Sequence, residues 1–338
     1  MSPGTVDSSR ALLLERRGPA VLEPVADGWW QVGFRALGSA CELFVHASTA
    51  ASAKTFRDRA LAWLLGFELK FSRYLPDSLL SRINANAGSL WTEIDEETEV
   101  LLSLCDRIHF TTGGAFDATS LPLSRLWDWQ IRHDRLPSDG EIAAARRLVN
   151  WTAVLREKGR VFLPTAGMQL DFGGIGKEFA VDVLVRLGKA AGLRAGMIDL
   201  GGDIAVWGES PEGGGWTVGL EHPTEPGRCH CGIRLRDGSA VATSGNGVRR
   251  FTHDGRSYGH IIDCRTGRPV DNGTESVSVV ARSCVAAGIL STSAMVLGGQ
   301  EALRLLSRQH QVEGCLWHGR TLLQTARFRS FPLPDDWS

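Results

Sequence analysis

Four stretches of this sequence combine glycine with short polar side chains more densely than folding alone requires. They are Gly113-Gly114-Ala115-Phe116-Asp117-Ala118-Thr119, then Asp171-Phe172-Gly173-Gly174-Ile175-Gly176-Lys177, then Leu200-Gly201-Gly202-Asp203. The fourth is a split set: Thr243-Ser244-Gly245, Gly259-His260-Ile261-Ile262-Asp263 and Thr266-Gly267. Each alone predicts only a turn. Together they predict backbone brought close to a ligand. The second stretch runs into a helix near Lys177, where a helix N-terminus presents free N–H groups to an anion. Lys177 adds a positive charge at the same place.

Two familiar phosphate-binding loops do not fit this stretch. A nucleoside-triphosphate loop needs Gly-x-x-x-x-Gly-Lys-Ser/Thr. Here Asp171 stands where the first glycine belongs, and Glu178 where the magnesium-binding hydroxyl belongs. The dinucleotide fingerprint Gly-x-Gly-x-x-Gly fails in register as well.

The elements that must position these loops follow from periodicity. Alternation over residues 30–34 and 40–46, around Leu37-Gly38-Ser39, predicts a hairpin. Ala60, Trp63, Leu64 and Phe67 place an amphipathic helix over 52–69. Residues 71–86 carry turn chemistry around Pro76-Asp77-Ser78. Asp95 is set to cap a helix reaching about Phe110, and Gly113-Gly114 stops it. Residues 121–129 read as a short helix. Ser138 and Glu141 form a capping box for a helix ending near Asn150. Residues 161–170 read as a strand. Phe179, Ala180, Val183, Leu184, Leu187 and Ala191 form a helix stripe that Gly192 ends.

Short strands are expected next, at 196–200, 204–208, 216–220, 232–236, 240–243, 248–252, 257–263 and 276–281, with Asp237-Gly238 as a hairpin turn. Helices over 284–297 and 301–307 are split by Gly298-Gly299, and a last hairpin joins 312–317 to 321–325. Strands in runs and helices in runs predict an α+β fold, with antiparallel or mixed sheets and packed helices. No repeat or long linker divides the chain. One domain is expected over residues 29–328, between a flexible extension at 1–28 and a tail at 329–338.

Bulk properties narrow the function classes. The chain has 338 residues, 22% charged and 43% hydrophobic, with a net charge of −1. No global field draws it to nucleic acid or an anionic membrane. Seven scattered cysteines, an odd number in a long chain, do not make a disulfide framework. Cys229-His230-Cys231 is the one cluster; no second pair answers it, so it reads as a strand start rather than a zinc site. No 18-residue apolar run predicts a membrane-spanning helix. Leu12–Leu14 is too short an apolar core for a signal peptide, so a cytoplasmic location is expected. The eleven tryptophans are expected mainly in the core.

With these motifs in order, the chain resembles the ApbE-type FAD:protein FMN transferases, which attach FMN to a Thr or Ser of another protein. Leu37-Gly38-Ser39 stands for the family's Met-Gly-Thr, followed by Ser72-x-Tyr74-x-x-Asp77-Ser78 with Asn84. The two glycine stretches at 112–119 and 171–177 come next, with Leu126-Trp127, Asp182, Gly201-Gly202-Asp203 and Ala242-Thr243-Ser244-Gly245. His260-Ile261-Ile262-Asp263, Thr266-Gly267, Leu290-Ser291-Thr292 and Leu297-Gly298 complete the set. The resemblance covers about residues 33–305.

It implies an ApbE-like single domain that takes FAD, cleaves its pyrophosphate, passes FMN to a Thr or Ser hydroxyl of an acceptor flavoprotein and releases AMP. It places flavin-nucleotide contacts at Leu37, Tyr74, Ala115, Phe116, Asp117, Asp171, Lys177, Thr243 and Ile262. His260 and Lys177 become the candidate catalytic residues. The family's magnesium falls to Gly174, Ser291 and Thr292. The family's metal-ligand Asp is Gly288 here, and its usual glycine at 178 is Glu178. Cys264 replaces the usual proline. Magnesium takes hard oxygen ligands and usually a carboxylate, so a weakened Mg2+ site is expected. Two outcomes stay open at this point: transfer with a more hydrated magnesium, or an FAD-binding accessory protein without efficient transfer.

Overall fold

The turn Leu37-Gly38 closes the first hairpin. Trp29–Ala36 pairs antiparallel with Ser39–His46, from Trp29 opposite His46 to Ala36 opposite Ser39. A two-residue loop of this kind needs positive φ at both positions. Leu37 and Gly38 have φ of 52° and 72°. Leucine is strained there, and such strain persists where surrounding contacts hold it. The Leu37 N–H donates to Glu68 Oε1 at 2.8 Å.

A computed structural model describes residues 3–131, 133–225, 227–247 and 249–332. Its helices are α1 (Pro3–Arg17), α2 (Ala50–Phe71), α3 (Leu79–Ala85), α4 (Glu96–Thr111), α5 (Leu121–Leu126), α6 (Asp139–Arg146), α7 (Gly176–Ala190), α8 (Cys284–Leu297) and α9 (Gly299–Ser307). The main sheet has nine strands in the spatial order Glu23–Ala26, Trp29–Ala36, Ser39–His46, Ala195–Leu200, Ile204–Trp207, Ala240–Gly245, Thr274–Ala281, Glu313–His318 and Thr321–Gln324. Every pairing in it is antiparallel. The architecture is therefore α+β, as the run pattern predicts.

The sheet is covered on both faces. Ile204–Trp207 is buried at every position. Ala205 and Trp207 join the layer formed with α2 and α7, while Ile204 and Val206 pack with Trp216–Glu221 and Cys229–Leu235. That explains its unbroken apolar run, the mark of a strand with no solvent face. The Trp207 ring lies where Gly188 would carry a Cβ, at 2.8 Å, so that helix glycine permits the close packing of α7 on the sheet. A third core holds α3 and α4 beside residues 161–183, and a fourth sets α8 and α9 on the sheet's far half.

Several expectations need correction. The leading segment is helical: Leu13 packs with Leu65 and Leu75, and the buried Arg17 donates to the Leu61 carbonyl at 3.0 Å. Its single inward leucine is too weak a periodic signal to read. Residues 71–86 contain α3, which Ser78 caps by accepting from the Ser81 N–H. The strand expected over 161–170 spans only Arg160–Phe162. Pro164 has no N–H to donate, and a turn from Thr165 to Met168 follows. Asp237-Gly238 is a turn, but it carries the chain between two sheets, since Cys229–Leu235 and Ala240–Gly245 do not pair. Asp237 Oδ1 accepts from the Gly208 N–H at 2.9 Å instead. Within the expected C-terminal tail, Ser330–Phe331 forms a short strand on Cys229–Leu235. Val248, at the start of an expected strand, and residues 333–338 lie outside the described residues; the strand itself runs Arg250–His253.

Candidate functional site

The four glycine-rich stretches meet around one cavity of about 1330 Å3. Side chains far apart in sequence tie them together. Asn84 clamps Leu170 from both sides, with Nδ2 donating to its carbonyl at 3.0 Å and Oδ1 accepting from its N–H at 2.7 Å. The Asp171 N–H then donates to the Ala118 carbonyl at 2.8 Å, joining the first loop to the second. Trp127 Nε1 donates to the Gly267 carbonyl at 2.9 Å and fixes the last loop. Asp182 on α7 accepts from the Cys284 and Val285 N–H groups, at 2.8 and 3.1 Å, so it caps α8 and sets the two helices against each other.

Packing requires glycine at 174 but not at 176 in the second loop. A Cβ on Gly174 would sit 2.7 Å from Phe116 Cε2, so the Phe116 ring lies directly over that backbone. A Cβ on Gly176 would meet Phe67 at 3.6 Å. No side chain caps the first turn of α7.

Leu37, Tyr74, Ala115, Phe116, Asp117, Asp171, Gly174, Lys177, Thr243, His260, Ile262 and Thr292 all border the cavity. Ser291 does not: it is fully buried beneath the wall, donates to the Gly288 carbonyl at 3.1 Å and lies 2.8 Å from Ser244 Oγ. Ser244 itself faces the cavity, with its Oγ 3.0 Å from Thr292 Oγ1. Asp117 borders the cavity, yet its carboxylate is already committed. Oδ1 accepts from Thr119 N at 2.8 Å and Thr119 Oγ1 at 2.5 Å; Oδ2 accepts from Trp151 N at 3.0 Å and faces His109 Nδ1 at 3.4 Å. A carboxylate has about four acceptor sites, and three of those on Asp117 are used within the protein. Asp171 is similarly engaged, with Oδ2 paired to Arg73 at 2.7 Å and Oδ1 accepting from Gly173 N at 2.9 Å. Arg73 lies over the exposed Tyr74 ring, 4.9 Å from its centre.

The polar end of the cavity carries the electrostatics. Lys177 is ion-paired with Asp203, and both are largely buried. Burial alone would lower the Lys177 pKa, but the Asp203 and Glu178 carboxylates override it and raise it. Glu178 is pushed up to about 7 by burial and then by Asp203. Its Oε2 is buried and has no hydrogen-bond partner. Burial, then the neighbouring Arg249, lowers His260 to about 4. His260 Nδ1 lies 3.2 Å from the Arg249 carbonyl, which assigns the proton to Nδ1 and leaves the Nε2 lone pair free. Sequence reasoning missed Arg73, Ser244, Arg249 and Glu178 as parts of this site. Arg73 and Ser244 lie inside recognised motifs, Glu178 stood out in the sequence only as a departure from them, and Arg249 becomes visible only through folding.

A second depression, of about 600 Å3, lies between Ala20–Leu22 and Lys54 with Arg57. It is a surface hollow away from all four loops. Among the described residues, no helix is long and apolar enough to cross a membrane. No group of three or more His, Cys, Asp or Glu among them is arranged to hold a metal on those side chains alone.

The fold and cavity define an α+β protein with a large cleft lined by both charged and aromatic side chains. The chain belongs to the ApbE family, whose model matches residues 37–316. It is 32% identical over 236 residues to the FAD:protein FMN transferase of Vibrio cholerae serotype O1, covering 69% of this chain and 71% of that protein. The structure is similar to the apo flavinyl transferase ApbE of Pseudomonas stutzeri, with a TM-score of 0.78 and 28% identity, covering 90% of this chain and 96% of the other. It is also similar to the ApbE protein of Thermotoga maritima, with a TM-score of 0.81 and 28% identity, covering 88% and 97%.

Proposed function

We propose that this chain is an FAD:protein FMN transferase. The acceptor's Thr or Ser oxygen attacks the FMN-side phosphorus of FAD, the bond from that phosphorus to the bridging oxygen breaks, and AMP leaves with that oxygen. The observation that carries this reading is His260: its Nδ1 proton is spent on the Arg249 carbonyl, so Nε2 is a proton acceptor at the polar end of a dinucleotide-sized cleft. The acceptor hydroxyl's proton passes to Nε2. Lys177 and Arg249 lie at the same end and offset the charge on the phosphate oxygens. Tyr74, held by Arg73, and Phe116, whose ring lies over Gly174, offer ring faces to an aromatic ligand. The cleft exceeds the ~300–1,000 Å3 usual for drug-sized ligands, as an extended dinucleotide requires.

Ser244 and Thr292, whose hydroxyls lie 3.0 Å apart, border the cleft together with the Gly174 backbone and Glu178, whose Oε2 is unpartnered, and these hard oxygen donors are of the kind a magnesium ion takes. When bound, such an ion supplies charge stabilisation at phosphoryl oxygens. Ser291 supports Ser244 from below.

The test is direct. FAD is expected to bind with about micromolar affinity or better, read by quenching of flavin fluorescence. Incubation with FAD, Mg2+ and a protein bearing a Thr/Ser flavinylation site is expected to yield the FMN adduct by mass spectrometry and equimolar AMP. FAD binding with neither product, across several divalent metals, overturns the transferase reading. Gly174→Ala is a sharper probe of the cleft. Its methyl group must displace the Phe116 ring, at a cost of about 1–3 kcal/mol in an overpacked site. A lowered Tm together with weaker FAD binding is expected; an unchanged FAD affinity would show that Phe116 does not face the ligand.

A further inference from the structure

Gly288 on α8 has no room for a side chain because Glu178 of α7 fills that space. A Cβ built on Gly288 would lie 2.5 Å from Glu178 Cγ and 2.6 Å from its Oε1. The two positions are 110 residues apart in sequence and become one volume in the fold. Glu178 is more than nine-tenths buried, borders the cavity, and leaves Oε2 without a partner. A buried carboxylate oxygen with no partner is costly unless something cationic completes it. Lys177 is not free for the task, because it is paired with Asp203. Thr292 stands one helical turn beyond Gly288, so its hydroxyl projects from the same face of α8. Ser244 Oγ, 3.0 Å from Thr292 Oγ1, adds another hard oxygen. One carboxylate with hydroxyl and carbonyl oxygens is the donor set of a hard divalent cation that keeps part of its water.

We propose that Glu178 is the carboxylate ligand of a divalent cation at this end of the cleft, supplied from α7 across the space that Gly288 leaves open. The sequence expectation of a weakened metal site is thereby revised. The carboxylate has not been lost; it reaches the same volume from the facing helix. The reciprocal departures at 178 and 288 are then one change rather than two. The proposal deepens the functional reading above and rests on it for FAD, whose phosphates complete the coordination.

The test uses Mn2+ as the probe, titrated into the full chain with and without FAD and read by the loss of the free-ion electron paramagnetic resonance signal. Glu178→Gln keeps the shape and removes the charge. It is expected to weaken Mn2+ binding about tenfold or more, while FAD affinity measured in EDTA stays within about twofold. Gly288→Asp alone is expected to lower Tm, because its Cβ enters the Glu178 side chain. The double variant Glu178→Gly/Gly288→Asp is expected to recover both Tm and Mn2+ binding, and it keeps the test decisive if either single variant folds poorly. Equal Mn2+ binding by the wild type and Glu178→Gln overturns the assignment, as does a double variant that folds but binds no Mn2+. Failure of the wild type to bind FAD overturns the functional reading instead, and the titrations without FAD still decide the role of Glu178.

Discussion

His260→Ala is expected to slow AMP release and FMN transfer by about 10²–10⁴-fold, the usual contribution of a positioned general base, while FAD affinity changes by only a few-fold. The expectation rests on how the ring is held. The His260 backbone N–H and Nδ1 both face the Arg249 carbonyl, at 3.0 and 3.2 Å. That contact fixes the ring plane and the tautomer, and it aims the free nitrogen away from the carbonyl. Burial and the cations Arg249 and Lys177 lower the pKa to about 4, so the ring is neutral near pH 7. A neutral ring is the form that accepts a proton, and the negative charge of a bound diphosphate raises its basicity at the moment of use. Steady-state AMP release and mass spectrometry of the acceptor check the rate, and fluorescence titration checks binding. Partial rescue of His260→Ala by added imidazole would distinguish a proton acceptor from a packing residue. Loss of FAD binding in proportion to the loss of rate would make His260 a ligand contact and sink its role as base.

The same distinction, between residues that face the ligand and residues that hold those residues, separates what was legible in the sequence from what was not. Short-range signals read well. The Leu37-Gly38 turn, the Ser138–Glu141 capping box and the α7 stripe each depend on neighbours within four residues, and each is present. The motif residues converge on one cleft because glycine and short polar side chains mark places where backbone must come close. What did not read well depends on partners far along the chain. Asp117 borders the cleft as expected, but that Trp151 and Thr119 also bond its oxygens could not be read from the motif. Ser291 looked like a metal ligand, but it lies one layer down and steadies Ser244. That Glu178 of another helix fills the space beside Gly288 could not be read from either position alone. The α1 helix offered one buried leucine in a charged stretch, too little for periodicity to report.

Lys177→Met is expected to lower stability by about 3–5 kcal/mol, the cost of stripping one partner from a buried pair. Asp203→Asn is expected to cost clearly less, and the asymmetry follows from the geometry. Lys177 interacts with two carboxylates, Asp203 by direct contact and Glu178 through space. Removing the lysine leaves two buried acidic groups near each other with only the through-space charge of Arg249 acting on Asp203, and each already resists ionisation because of burial. Removing the Asp203 charge leaves Lys177 with Glu178 still beside it, and relieves the repulsion that Asp203 exerts on Glu178. The double variant Lys177→Met/Asp203→Asn should therefore lose less than the sum of the single changes, with a coupling of about 0.5–3 kcal/mol as for residues in contact. Urea unfolding of the four proteins measures this, provided the m-value stays constant across the set. FAD titration separates stability from binding: both variants that lack Lys177 should bind FAD more weakly, including the double variant whose fold is largely restored. If Asp203→Asn proves the more destabilising single change, the carboxylate rather than the lysine organises this end of the cleft, and the charge that meets the diphosphate must be sought at Arg249.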